Sequence, residues 1–292
     1  MSLSSNRPWR SPTPYESSAA FRRALEDRLR QQAVTSGTSL ARLRKMVAFE
    51  RFLARLVTAQ REPGYLLPER ARTTQDIDLL LRQSLPVRDV HRVLVAGVLR
   101  DLGDWFTFEV ARPEQPADLR FPVQSLLDGR LFEAFHVDAG IGDPLIEAAD
   151  LLTAPPLLAF AGIAPVTIPA YPLSQQIAEK VHALTRLYIS GESSRVRDWV
   201  DILLMAHWGG LRAGTLRQAL QATFAKRGTH PLPQRMPSPP ASWSLPFRRL
   251  CEQTGLEYPS LAAATQALQR FLDPLLSGEC GEVWNPIRWE WE

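Results

Sequence analysis

Apolar residues recur at three- and four-residue spacing over residues 17–32 and again over 40–60. In the second stretch Leu43, Met46, Val47, Phe49, Phe52, Leu53 and Leu56 alternate with arginines, which is the pattern of an amphipathic helix with one face in a core. The run Asp76-Ile77-Asp78-Leu79-Leu80-Leu81 alternates at period two before turning fully apolar, as a strand does. Pro86 then opens a third helix through about residue 102, at the first helical position where its missing N–H costs nothing. Strands are expected over residues 105–110, 131–139 and 166–169, with one or two more between 150 and 160. From residue 174 the period returns to helix, over 174–190, 194–208, 213–225, 246–255 and 259–276. The chain shows no internal repeat.

Strands therefore precede helices instead of alternating with them. That order predicts an α+β fold, a short mixed sheet flanked by helices and followed by a helical C-terminal region. The expected organisation is a disordered arm over residues 1–14, an α+β domain over 15–170, and a helical domain over 171–292. Six prolines between Pro231 and Pro246 mark a linker or a wrapped, extended loop over residues 230–246. A doubly wound dinucleotide-binding fold is excluded by the element order and by the lack of G-x-G-x-x-G or G-x-x-x-x-G-K-[ST].

Composition narrows the function. A 45% hydrophobic chain of 292 residues is long enough for one or two full cores. The 34 Lys+Arg against 31 Asp+Glu are mostly arginine, which favours an anionic partner such as a nucleotide or RNA, because guanidinium pairs with phosphate bidentately. Cys251 and Cys280 form neither metal-ligand spacing nor a disulfide framework and read as structural thiols in a reducing cytosol. No apolar stretch reaches membrane-spanning length and no signal-peptide core opens the chain, so a cytoplasmic protein without a membrane partner is expected.

The candidate chemistry starts at Asp76 and Asp78. On a strand they point to one face while Ile77 and Leu79 point to the other, and two adjacent acids are best tolerated around a divalent cation such as Mg²⁺. In Phe132-Glu133-Ala134-Phe135-His136-Val137-Asp138, strand parity puts Phe132, Ala134, His136 and Asp138 on one face, and Asp138 sits before Gly140 and Gly142 at the strand's end. Three such acids suit two-metal phosphoryl or nucleotidyl transfer; a turn-capping role is the alternative for Asp138. Lys180 flanks the apolar stripe Ile177, Val181, Leu184, either meeting a triphosphate or snorkelling to water. In Arg195-Val196-Arg197-Asp198-Trp199-Val200-Asp201, Asp201 reads as an internal salt-bridge partner and Asp198 as the better site residue. The five histidines show no metal spacing, and the Trp-rich end, Trp284 to Trp291, reads as cover for a core face.

Taken in order, Arg72-Thr73-Thr74-Gln75-Asp76-Ile77-Asp78-Leu79, Phe135-His136-Val137-Asp138, Ala178-Glu179-Lys180-Val181-His182-Ala183-Leu184 and Arg195-Val196-Arg197-Asp198-Trp199-Val200-Asp201 resemble the AbiEii-type nucleotidyltransferases of abortive-infection toxin–antitoxin systems. The resemblance spans about residues 17–210. It implies a nucleotidyltransferase-like sheet, Asp76, Asp78 and Asp138 as Mg²⁺ ligands, Lys180 as the triphosphate contact and Asp198 as a further catalytic acid. Gly64, Arg72, Thr74 and Lys180 are the implied nucleotide-binding residues. The implied reaction transfers a nucleotide from an NTP to an acceptor such as the 3′ end of tRNA, and the implied partner is a cognate antitoxin. The chain departs from the family's Gly-Gly or Gly-Ser phosphate loop: Gly64 in Glu62-Pro63-Gly64-Tyr65 lacks a second small residue and a preceding apolar strand. A non-catalytic member that binds an antitoxin or an RNA is the alternative, and a carboxylate-dependent nuclease is a third reading.

Overall fold

The computed structural model of the chain describes residues 14–59, 67–68, 76–81, 86–115, 119–141, 145–186 and 195–292. Apart from Pro14, the expected arm lies outside the described residues. Two compact units emerge. The first holds the described residues of Met1–Gly142 and Leu151–Ala170, the second those of Asp143–Asp150 and Tyr171–Glu292.

In the first unit the helices are α1 (Ser18–Ser36), α2 (Leu40–Ala59) and α3 (Val87–Val98). The strands are β1 (Leu67–Pro68), β2 (Ile77–Leu81), β3 (Phe106–Val110), β4 (Arg120–Leu127), β5 (Arg130–Ile141), β6 (Asp150–Thr153) and β7 (Thr167–Ala170). The first five form a mixed sheet in the order β1-β2-β5-β4-β3, in which β2 runs parallel to β5 and the remaining pairs are antiparallel. β6 and β7 make a separate ribbon. This is the expected α+β architecture.

One face of the sheet and the apolar stripes of α1 and α2 make a single core. Phe21, Leu25 and Leu29 of α1 and Val47, Phe52 and Leu56 of α2 meet Ile77, Leu79, Phe106, Phe121, Val123, Phe135 and Val137. Burying each such side chain contributes about 1.5–3 kcal/mol. Gly97 lets α3 lie close on α2, since a Cβ there would stand 2.6 Å from Leu56 Cδ2.

β4 is not among the strands expected from the sequence. Its inward residues Phe121, Val123, Ser125 and Leu127 alternate with half-buried or exposed neighbours, but Pro122 interrupts the run and argues against an interior strand. The structure tolerates it because Pro122 faces the end of β3: its carbonyl accepts from the Ala111 amide at 2.8 Å, beyond the last β3 pair, Val110 with Val123. The turn that follows, Asp128-Gly129, has φ of 57° and 64°, the two left-handed residues of a tight hairpin. Arg22 of α1 holds that hairpin by donating to the Leu127 and Arg130 carbonyls at 2.5 and 3.1 Å.

Strand parity in β5 is also not what the sequence predicts. Ser125 pairs with Glu133 and Leu126 with Leu131, so Phe132 is an extra residue in a β-bulge. The bulge turns Phe132 into the core, 2% exposed and 5.2 Å from the Phe106 ring, while Ala134, His136 and Asp138 keep the opposite face. Nor does β5 end near Asp138. It continues to Ile141, with Gly140 paired to Leu80.

A charge cluster is buried between α2 and the start of β3. Asp104, fully buried, takes a two-pronged pair from Arg55 (Nη2 to Oδ1 2.5 Å, Nη1 to Oδ2 3.0 Å) and a third contact from Arg51 at 3.3 Å. Arg55 also donates to the Phe106 carbonyl at 2.6 Å, and Arg51 to Glu50 at 3.1 Å. Burial pushes the Glu50 carboxyl above its ordinary range. Trp105, next to Asp104, is held at φ 64°, a backbone region that non-glycine residues seldom take.

The second unit is built from α4 (Leu173–Thr185), α5 (Val196–Trp208), α6 (Ala213–Arg227), α7 (Ser244–Thr254) and α8 (Leu261–Ser277), closed by a small hairpin of β8 (Trp284–Asn285) and β9 (Glu290–Trp291). The proline-rich segment wraps onto this core: Met236 is buried with its amide on Asp273 at 2.8 Å, and Trp243 packs on Trp199. The terminal tryptophans cover the core as expected. Their indole N–H groups donate to helix carbonyls, Trp284 to Ala206 at 2.8 Å, Trp289 to Ala267 and Trp291 to Phe271 at 2.7 Å. Cys251 and Cys280 are free thiols, both pushed up by burial.

His182 of α4 gives this unit a pH dependence. Its Nε2 lies 2.9 Å from Thr229 Oγ1, its ring is 4.8 Å from His230, and burial, the His230 ring and the Arg227 and Arg186 cations lower its pKa from 6.5 to about 4. A histidine held neutral by folding contributes stability that is complete above pH 6.5 and is lost as the pH falls through about 4. The melting temperature is therefore expected to fall between pH 6.5 and 4, and His182→Gln to flatten that part of the profile. An unchanged slope in the variant refutes the assignment.

Candidate active site

Sheet register brings the acids together. β2 and β5 align Asp78 with Asp138, and β5 and β4 align Asp138 with Arg120, so the three occupy one row across three neighbouring strands. Asp76, one residue before β2, reaches back to β5, where its Oδ1 accepts from the His136 amide at 3.1 Å and lies 3.2 Å from His136 Nδ1. The face is the one opposite the core, because Ile77, Leu79, Val137 and Ala139 point the other way and are buried.

Arg120 joins these acids. Its Nη1 donates to Asp138 Oδ2 at 2.6 Å and its Nη2 to Asp76 Oδ2 at 2.7 Å. The hydrogen bond to Asp76 is the largest influence on the guanidinium; burial opposes it, but the charges of Asp138, Asp76 and Asp78 add to it and hold the group even more firmly protonated than usual. The two carboxylates respond differently. Burial alone would raise Asp76, but the bonds from Arg120 and His136 together outweigh it and hold it below its ordinary range. For Asp138 burial is the largest influence and, with the negative charge of Asp76, keeps it above its ordinary range despite Arg120.

Arg120 is the residue that sequence reasoning missed, because β4 itself was not expected. The alternation Phe121, Val123, Ser125, Leu127 ahead of Asp128-Gly129 is the signal that would have found it. Gly64, Arg72 and Thr74, the expected nucleotide contacts, lie outside the described residues. Among the described residues no three His, Cys, Asp or Glu side chains form a ready-made metal cage. Yet the donor set of Asp76, Asp78 and Asp138 is all carboxylate oxygen, which suits a hard cation, and the site already gathers two of them around one positive charge.

Lys180 and Asp198 are brought together in the second unit. Lys180 Nζ on α4 stands 3.3 Å from Asp198 Oδ1 and 3.1 Å from Asp201 Oδ2, both on α5. Asp198 sits in the first turn of α5, where the helix dipole favours an acid, and also meets Arg195 at 3.4 Å. The salt-bridge reading of Asp201 holds, with Lys180 as its partner.

The fold is that of a nucleotidyltransferase toxin. Among solved structures the chain is similar to MenT4, a nucleotidyltransferase toxin from Mycobacterium tuberculosis H37Rv, with 15% identity and a TM-score of 0.50 over 91% of this chain and 99% of that one. The family model of the AbiEii toxin, a nucleotidyl transferase of type IV toxin–antitoxin systems, matches residues 65–278, and the chain belongs to that family. No curated protein sequence matches it. Among the described residues no helix is long and apolar enough to cross a membrane.

Proposed function

We propose that the chain is an Mg²⁺-dependent nucleotidyltransferase toxin that acts in the cytoplasm and moves a nucleoside monophosphate from an NTP to an RNA acceptor such as tRNA. The observation that carries this reading is that Asp76, Asp78 and Asp138 share the sheet face opposite the core, with Arg120 bonded to both Asp76 and Asp138. Asp76, Asp78 and Asp138 would hold Mg²⁺, which when bound would neutralise phosphate charge and lower the pKa of an attacking hydroxyl. In the transfer, the acceptor oxygen bonds to the α-phosphorus, the bond from that phosphorus to the α–β bridging oxygen breaks, pyrophosphate leaves with the electron pair, and the hydroxyl proton passes to solvent. The His136 amide fixes the Asp76 carboxylate in place through Oδ1, so it does not have to be ordered when substrate arrives.

Incubation with α-labelled and, separately, γ-labelled NTPs plus total tRNA tests the reading. Label passing to RNA from the α position is expected. Label from the γ position alone would make the chain a kinase, shortened RNA would make it a nuclease, and no label would remove the enzymatic claim. The same resemblance makes Lys180 the triphosphate contact and Asp198 a further catalytic acid, and the two side chains stand together at 3.3 Å. Lys180→Met is expected to weaken NTP binding about tenfold, in line with the loss of one charge-assisted phosphate contact. Calorimetric titration giving wild-type affinity would remove Lys180 from the site.

A further inference from the structure

We infer that Arg120 is a built-in counter-cation of the carboxylate site, which a divalent ion would have to displace before Asp76 and Asp138 could hold it. The inference rests on the metal-site reading above and adds a competitor to it. The guanidinium already takes Oδ2 of both acids, at 2.7 and 2.6 Å, so an ion held by these carboxylates would compete with it for their electron pairs. A planar fork suits this role because its two Nη atoms reach two carboxylates at once, which a lysine ammonium cannot do with fixed geometry.

Exposure separates this arginine from a structural one. Arg55 makes a comparable two-pronged pair with Asp104, but that side chain is 1% exposed and its partner 0%, with no other place to go. The Arg120 side chain is 47% exposed, on a sheet face that is not packed in the core, so its guanidinium can swing away without opening the fold. Once released, it is a free phosphate-pairing group beside the acids. Free metal therefore meets resistance, and metal arriving with a phosphate chain meets less, because the phosphate gives the displaced guanidinium a new partner. The device favours the metal–nucleotide complex over the bare ion.

The test is a Mn²⁺ titration of the full chain followed by electron paramagnetic resonance of the free ion, with wild type, Arg120→Gln, Arg120→Lys and Asp78→Asn. Arg120→Gln is expected to bind Mn²⁺ about tenfold more tightly than wild type, the size that two charge-assisted hydrogen bonds at a half-exposed site provide. Arg120→Lys, which keeps the charge and loses the fork, should fall between them, and it carries the comparison if the glutamine variant does not fold. Equal or weaker Mn²⁺ binding in variants with wild-type near-ultraviolet circular dichroism overturns the counter-cation role and leaves the metal site standing, provided Asp78→Asn weakens binding. If wild type and all variants fail to bind Mn²⁺, the metal-site reading falls and this inference falls with it.

Discussion

Asp76→Asn is expected to lower nucleotidyl transfer by about a thousandfold, roughly 4 kcal/mol of transition-state stabilisation, and to shift the melting temperature by only a few degrees. Asparagine keeps an oxygen for the His136 amide, so the hydrogen bond that seats the residue beside β5 survives. What disappears is the negative charge. The site then has one acid fewer for a cation, while Arg120 keeps Asp138 as its partner at 2.6 Å. The variant is read by α-label transfer and by a thermal melt in chelator. Retained transfer together with a melt lowered by ten degrees or more would make Asp76 a structural partner of Arg120 and leave the proposed chemistry without its first acid.

Asp104→Ala is expected to do the opposite, acting on stability far more than on chemistry. Removing the fully buried carboxylate strands the buried Arg55 guanidinium against a cavity and leaves Arg51 with Glu50 as its remaining carboxylate. Breaking one side of such a pair costs about 3–5 kcal/mol, because the remaining charge is left unsolvated and unpaired. For a unit of this size that corresponds to a melting temperature about 10 °C lower. Calorimetry checks it. A loss of only 1–2 °C would mean that water reaches the guanidinium groups and that the cluster is not the anchor between α2 and β3 described above. Replacing Asp104 together with both arginines by apolar residues is expected to recover part of the loss, since buried ion pairs are often matched by well-packed hydrophobic groups.

The helices were legible from the sequence because each carries a long apolar stripe at helical period; α2, α4, α6 and α8 fall within a few residues of where the spacing of residues such as Phe52, Val181, Leu220 and Leu268 puts them. The acids were legible because Asp76 and Asp78 break an apolar run at strand period. What stayed hidden was whatever depends on a local exception or on distant pairing. Pro122 concealed β4, and with it Arg120, since a proline is normally foreign to an interior strand. The bulge at Phe132 reversed the parity of the residues before it, an effect of pairing geometry that one strand's sequence does not reveal. Arg55 and Asp104 lie 49 residues apart, with no local pattern to link them; only the fold makes them a buried pair.

The tryptophans are divided unevenly, and this gives the molecule an internal optical label. Of the eight in the chain, Trp199, Trp208, Trp243, Trp284, Trp289 and Trp291 lie in the second unit and Trp105 alone among the described residues of the first. Intrinsic fluorescence therefore comes mainly from the second unit. A chain in which the other tryptophans are replaced by phenylalanine would emit from Trp105, whose backbone is held left-handed beside Asp104. Its emission maximum would then report solvent entering the buried arginine cluster, while the native chain's emission reports chiefly on the second unit.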